Sequence, residues 1–178
     1  MTGTIVWISG LPASGKTTLA WRLRDRLARD GTRPIVLDGD DLRAAMVPTP
    51  GYSTEERRGF YATLASLAAL LAAQQFDVVV AATANRREFR NVAREKAHRF
   101  IEVYVSAPLE ECARRDPKGL YARANSDRSI LLPGVSEPYE IPESPDVVAS
   151  GGFDDGAVER IARLLSKGSA DSSIKIPK

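Results

Sequence analysis

The residues that build metal and redox sites are nearly missing from this chain. Its 178 residues include one cysteine, Cys112, and one histidine, His98. A lone cysteine excludes an intrachain disulfide and any multi-cysteine metal centre, and Cys112 reads as a half-buried helix residue. A lone histidine leaves little material for a histidine metal site or a catalytic triad, and His98 reads as a surface helix residue. No apolar run approaches the roughly 20 residues needed to span a bilayer; residues 64–73 are apolar but short, and read as a buried helix face. Neither sign of charge dominates, since the net charge is +2, so neither a nucleic acid polymer nor a membrane surface is the expected partner. No basic segment followed by an apolar one opens the chain, so no secretion signal is expected and the expected compartment is the cytoplasm. What is present, at 43% hydrophobic, suits one folded domain with a real core.

The most informative stretch is Gly10-Leu11-Pro12-Ala13-Ser14-Gly15-Lys16-Thr17-Thr18. It contains G-x-x-x-x-G-K-[ST], the P-loop pattern. The apolar Ile5-Val6-Trp7-Ile8 before it predicts a buried strand, and the residues after it predict a helix. In that context successive backbone N–H groups and a helix dipole converge on one anion. Lys16 would reach the β- and γ-phosphates of ATP, and the Thr17 hydroxyl would meet Mg²⁺.

Apolar runs and helical patterns alternate along the rest of the chain. Strands are expected at 4–8, 34–37, 77–82, 100–105 and 146–149, and helices at 16–29, 42–46, 54–75, 86–99, 108–116 and 154–165. Ser53 with Glu56 predicts a capping box at the third helix. Residues 118–145 carry little periodicity and read as a long functional loop, with a lid at about 114–140. Residues 1–165 are expected to form one domain and 166–178 a frayed tail. The alternation predicts a three-layer α/β fold of the P-loop NTPase type, with about five parallel strands covered by helices on both faces. Ligands in such sheets bind beyond the carboxyl ends of the strands.

Those ends carry further chemistry. Asp38 and Asp40 follow the second strand, separated by Gly39. One carboxylate can hold Mg²⁺ or its waters, and the other can accept a hydroxyl proton. Asp40 is assigned as base and Asp38 as metal partner, with the reverse open; both are also ordinary turn or cap residues. Arg43, Arg57, Arg58, Arg86, Arg87 and Arg90 fall near the same edge. Such a cluster suits an anionic acceptor, because guanidinium groups hold sulfate or phosphate through paired N–H bonds. The basic stretch Arg114-Arg115-Asp116-Pro117-Lys118 could close over ATP and exclude water. Tyr52 suits either stacking on a nucleobase or simple packing.

Taken together, these segments resemble the adenylyl-sulfate kinase family. The resemblance rests on the P-loop through Thr18, on Leu37-Asp38-Gly39-Asp40, on Gly51-Tyr52-Ser53 with Arg57, and on Arg115-Asp116-Pro117-Lys118-Gly119-Leu120-Tyr121. Gly134, Pro138-Tyr139-Glu140 and Pro142-Glu143-Ser144-Pro145-Asp146 extend it in family order. It implies a MgATP-dependent homodimer that phosphorylates the 3′-hydroxyl of adenylyl sulfate. Asp40 falls on the family's base, Arg43 and Arg57 on arginines that contact the acceptor, and Tyr52 on an aromatic that stacks on the acceptor adenine. ATP-binding residues are then Gly10 through Thr18 with Arg115; acceptor-binding residues are Asp38, Arg43, Tyr52, Arg57, Arg87 and Leu132.

The sequence also departs from the family. Asp41 replaces an Asn, Gly59-Phe60 a Glu-Asn pair, and Ala84-Asn85-Arg86-Arg87 a Ser-Pro-Tyr-Arg segment. Ile130 replaces a Lys and Leu132 a stacking Phe. The donor half is complete, whereas the acceptor half lacks an amide, a serine and one side of an aromatic sandwich. Two other readings follow: a related kinase acting on another nucleotide-like or small anionic hydroxyl compound, and a non-catalytic nucleotide-binding module. The second leaves Asp40 without a purpose, since a pure binding module needs no base.

Overall fold

The structure, a computed structural model, describes residues 2–127 and 129–170. Its centre is strand β1 (Ile5–Gly10), buried along its whole length. Successive side chains leave a strand on opposite faces. Ile5 and Trp7 therefore enter one helical layer while Val6 and Ile8 enter the other. A strand apolar on both faces belongs inside a parallel sheet.

The sheet also contains β2 (Ile35–Asp38), β3 (Val78–Ala81), β4 (Phe100–Val105) and β5 (Val147–Ala149). All pairings are parallel and the order is β2-β3-β1-β4-β5. Helices α1 (Lys16–Arg29) and α7 (Asp155–Ala170) cover one face through Leu19, Leu23, Val158 and Ile161. Helices α3 (Thr54–Ala73) and α4 (Arg87–Lys96) cover the other through Phe60, Leu64, Ala68, Phe89 and Ala93. The predicted α/β architecture and its five parallel strands are present. The capping box is present too, with Ser53 and Glu56 bonded reciprocally.

Several boundaries differ from expectation. Helix α2 (Gly39–Ala45) starts three residues before the expected 42, because the Asp38 side chain accepts from the backbone N–H groups of Asp40 and Asp41 and caps it. Helix α4 ends at Lys96, so His98 lies in an exposed bend rather than in a helix. Cys112, on α5 (Leu109–Arg115), is fully rather than half buried. The supposed loop 118–145 contains α6 (Leu120–Ser126), opened by Gly119 in the left-handed region at φ 63°. Asp116 accepts a bond from the Ala122 N–H in its first turns. Helix α7 runs on to Ala170 instead of stopping at 165; the rest of the expected tail, 171–178, lies outside the described residues.

Arg90 ties these pieces together from a fully buried position. Its Nε donates to Glu102 on β4 at 3.1 Å, and its terminal nitrogens donate at 2.6 Å to the carbonyls of Ala84 and Glu140. Removing one member of a buried pair leaves the other charge uncompensated. Arg90→Met is therefore expected to lower unfolding stability by about 3–5 kcal/mol. Urea denaturation checks this, and a loss below about 1 kcal/mol would make the network dispensable.

Candidate active site

One cavity of about 890 Å³ opens at the carboxyl ends of β1, β2 and β3. Such a volume suits a small-ligand cleft. The P-loop forms its floor. Gly10 and Gly15 have φ of 155° and 101°. A Cβ on Gly15 would meet the Gly152 nitrogen at 2.5 Å, so the backbones approach too closely there for any side chain. Lys16 Nζ donates to the Leu11 carbonyl at 2.7 Å. Burial pushes its pKa down to about 8, partly offset by the nearby carboxylates of Asp40 and Asp38.

Thr17 Oγ1 lies 2.6 Å from Asp38 Oδ2, while Asp38 Oδ1 accepts from the Asp40 N–H at 2.8 Å. Asp38 is buried, and both of its oxygens have partners. Thr17 and Asp38 thus present adjacent hard oxygen ligands beside the loop. No cluster of three or more metal-ligating His, Cys, Asp or Glu occurs among the described residues. This donor set fits Mg²⁺, which takes one or two protein oxygens and completes its shell with waters and phosphate.

Asp40 differs from Asp38. Its carboxylate is exposed, and among the described residues its one side-chain partner is Lys118 Nζ at 2.6 Å. That bond pushes the Lys118 pKa up. Lys118 follows α5, so the pair bridges the cavity from the β2 end to the basic segment above it.

On the acceptor side the arginines divide. Arg43 and Arg57 line the cavity and are almost fully buried. Arg43 donates from Nη1 to the carbonyls of Pro50 and Gly51. Arg57 donates to the carbonyls of Tyr52 and Leu131, and Glu137 lies 3.9 Å from its Nε. Tyr52 stands exposed at the rim. Arg58, Arg86, Arg87 and Arg90 are not among the lining residues. Arg87, expected on the acceptor, instead pairs with Glu143 and donates to the Ile141 carbonyl. Its neighbours supply the reason: the 140–143 segment crosses the start of α4 and takes up its side chain. Arg58 and Arg86 face Glu88. Leu132 reaches the cavity wall but is buried with Leu11, Cys112 and Tyr121, while Leu131 beside it is exposed.

Donor residues Pro12, Ala13, Gly15, Lys16, Thr17 and Thr18 line the cavity, as does Arg115. Gly10, Leu11 and Ser14 sit behind them; Ser14 Oγ is buried with no hydrogen-bond partner among the described residues. Tyr121, Arg123, Gly152 and Phe153, not expected at the site from the sequence, also line it. Tyr121 Oη donates to the Pro12 carbonyl at 2.8 Å and so ties α6 to the P-loop. Gly152 and Phe153 lie more than 130 residues from the P-loop in the chain. Only the glycine pair Gly151-Gly152 after the last strand hinted at a close backbone approach.

Comparison with known proteins gives a consistent set of likenesses. A family model described as adenylylsulphate kinase matches residues 2–150. A probable adenylyl-sulfate kinase of Aeropyrum pernix is 42% identical over 150 residues, 82% of each chain. The adenylyl-sulfate kinase of Paraburkholderia xenovorans is 38% identical and covers 93% of this chain and 95% of its own length. The Mycobacterium tuberculosis APS kinase, solved in complex with AMPPNP and APS, superposes with a TM-score of 0.85 at 35% identity, covering 93% of this chain and 98% of that one.

Proposed function

This chain belongs to the adenylyl-sulfate kinase family, and from that premise we propose that it transfers the γ-phosphoryl group of ATP to the 3′-hydroxyl of adenylyl sulfate. The observation that carries the reading is a single cavity with the P-loop on one side and Tyr52, Arg43 and Arg57 on the other. A donor and an acceptor placed there meet over Asp40.

The residues divide the work by their chemistry. The P-loop amides and Lys16 hold the transferred phosphoryl group and offset the charge that spreads over its oxygens. Thr17 and Asp38 would hold Mg²⁺, which when bound neutralises phosphate charge. Asp40, whose exposed carboxylate has Lys118 as its one side-chain partner among the described residues, takes the proton of the attacking hydroxyl. Arg43 and Arg57 supply positive charge for the sulfated acceptor, and Tyr52 supplies a ring for its base. Residues 114–140 form the lid, with Arg115 on the ATP side and Lys118 reaching down to Asp40. Closure excludes water, which would otherwise compete with the acceptor. The reading includes a homodimer at work in the cytoplasm, as the family resemblance implies; no helix among the described residues is long and apolar enough to cross a membrane.

A coupled ADP-release assay over adenylyl sulfate, other nucleotides and sugar alcohols tests the proposal. ADP release should depend on adenylyl sulfate and yield its 3′-phosphorylated product. Release that is equal without acceptor, or faster with another compound, would overturn the choice of substrate.

A further inference from the structure

Phe60 stands where the family resemblance leads one to expect an amide, and the structure gives its ring a partner. The Arg43 guanidinium carbon lies 3.9 Å from the Phe60 ring centroid and 4.5 Å from that of Tyr52. Phe60 is held in turn by an edge contact with Tyr61 at 5.2 Å, and Tyr61 stacks on Phe89 at 4.6 Å. Tyr61 Oη accepts from the Ala84 N–H. A continuous series, Tyr52–Arg43–Phe60–Tyr61–Phe89, therefore runs from the cavity rim into the core under α3 and α4.

Nη1 of Arg43 is taken by the Pro50 and Gly51 carbonyls, and no hydrogen bond from its Nε or Nη2 to the described residues is present. The group is 7% exposed, yet it lines the cavity. A buried guanidinium placed over a ring keeps its charge and is attracted to the ring's π face, which restricts its position. An amide side chain at position 60 could bond an acceptor directly; a phenyl ring cannot.

We infer that Phe60 is a positioning residue for the acceptor, acting through Arg43: its ring fixes the guanidinium so that the unbonded edge meets the anionic group of the bound nucleotide. This rests on the proposed adenylyl sulfate reading and adds a specificity element built on a ring that itself forms part of the cavity wall.

Steady-state kinetics on three variants test it. Phe60→Leu keeps an apolar side chain, smaller than the original, and removes the ring. It should raise KM for adenylyl sulfate about tenfold while leaving KM for ATP nearly unchanged, with a melting temperature lowered only by what a smaller buried side chain costs. Phe60→Tyr, which keeps the ring, should restore the acceptor KM to within about twofold. In an Arg43→Gln background, Phe60→Leu should add nothing further, since the two act as one unit. An unchanged acceptor KM in Phe60→Leu overturns the inference, and so does an equal rise for ATP and acceptor with a lowered melting temperature. An additive effect in the Arg43→Gln background overturns it as well. A parent enzyme that ignores adenylyl sulfate would instead overturn the substrate reading, and the role of Phe60 with it.

Discussion

Asp40→Asn is expected to slow phosphoryl transfer about a hundredfold or more while ATP affinity stays near that of the parent chain. A positioned general base contributes roughly 10²–10⁴ to such a rate. Asparagine keeps the shape and removes both the charge and the ability to accept a proton. The change should not disturb the fold, because it is the backbone N–H of Asp40, not its side chain, that bonds Asp38. The side chain's ion pair with Lys118 joins groups 66% and 60% exposed, and pairs so exposed add little to stability. Asp38 is the weaker candidate for base, since its two oxygens are already engaged by Thr17 and by the start of α2. Single-turnover rates at saturating adenylyl sulfate are the measurement. A rate unchanged from the parent's would remove Asp40 from the chemistry and return the role to Asp38.

The central strand, the P-loop and α1 were legible because each signal there is local. A both-faces-apolar run, a glycine pattern and a helix start follow one another within about 15 residues. Ser53 and Glu56 were legible for the same reason: a capping box spans three residues. What the sequence hid depends on distant partners. The arginines at 86, 87 and 90 looked alike to those at 43 and 57, but Glu88, Glu102, Glu140 and Glu143 decide which of them leave the acceptor side. Helix α6 was hidden because its seven residues follow a glycine and carry no side-chain cap at the first position. The replaced amide at 60 looked like a lost function. The structure puts a ring there against Arg43, a contact that spacing along the chain does not suggest because α2 and α3 are joined by a loop.

Lys16→Ala should lower kcat/KM for ATP by about a hundred- to a thousandfold, the loss that follows removal of one preorganised donor to a charged transition state. The ammonium donates to the Leu11 carbonyl at 2.7 Å and is held at the cavity floor. Its pKa of about 8, lowered by burial, gives the effect a pH signature. Below pH 8 the group is charged and ready for the phosphates. As pH rises through about 8 the nucleotide-free enzyme loses that charge, so kcat/KM for ATP should fall above pH 8 in the parent. The alanine variant should show no such fall in that window. Stability runs in the opposite sense. The folded pKa lies below the ordinary 10.5, so between about pH 8 and 10.5 the unfolded chain binds more protons, and ligand-free stability contributed by this group rises with pH. Removing the amine relieves that cost, so the variant should melt no lower than the parent at pH 7. Lost activity with intact melting then marks a functional defect rather than a folding one. Full activity in Lys16→Ala, or a parent profile flat from pH 7 to about 10, would take the phosphate contact away from Lys16.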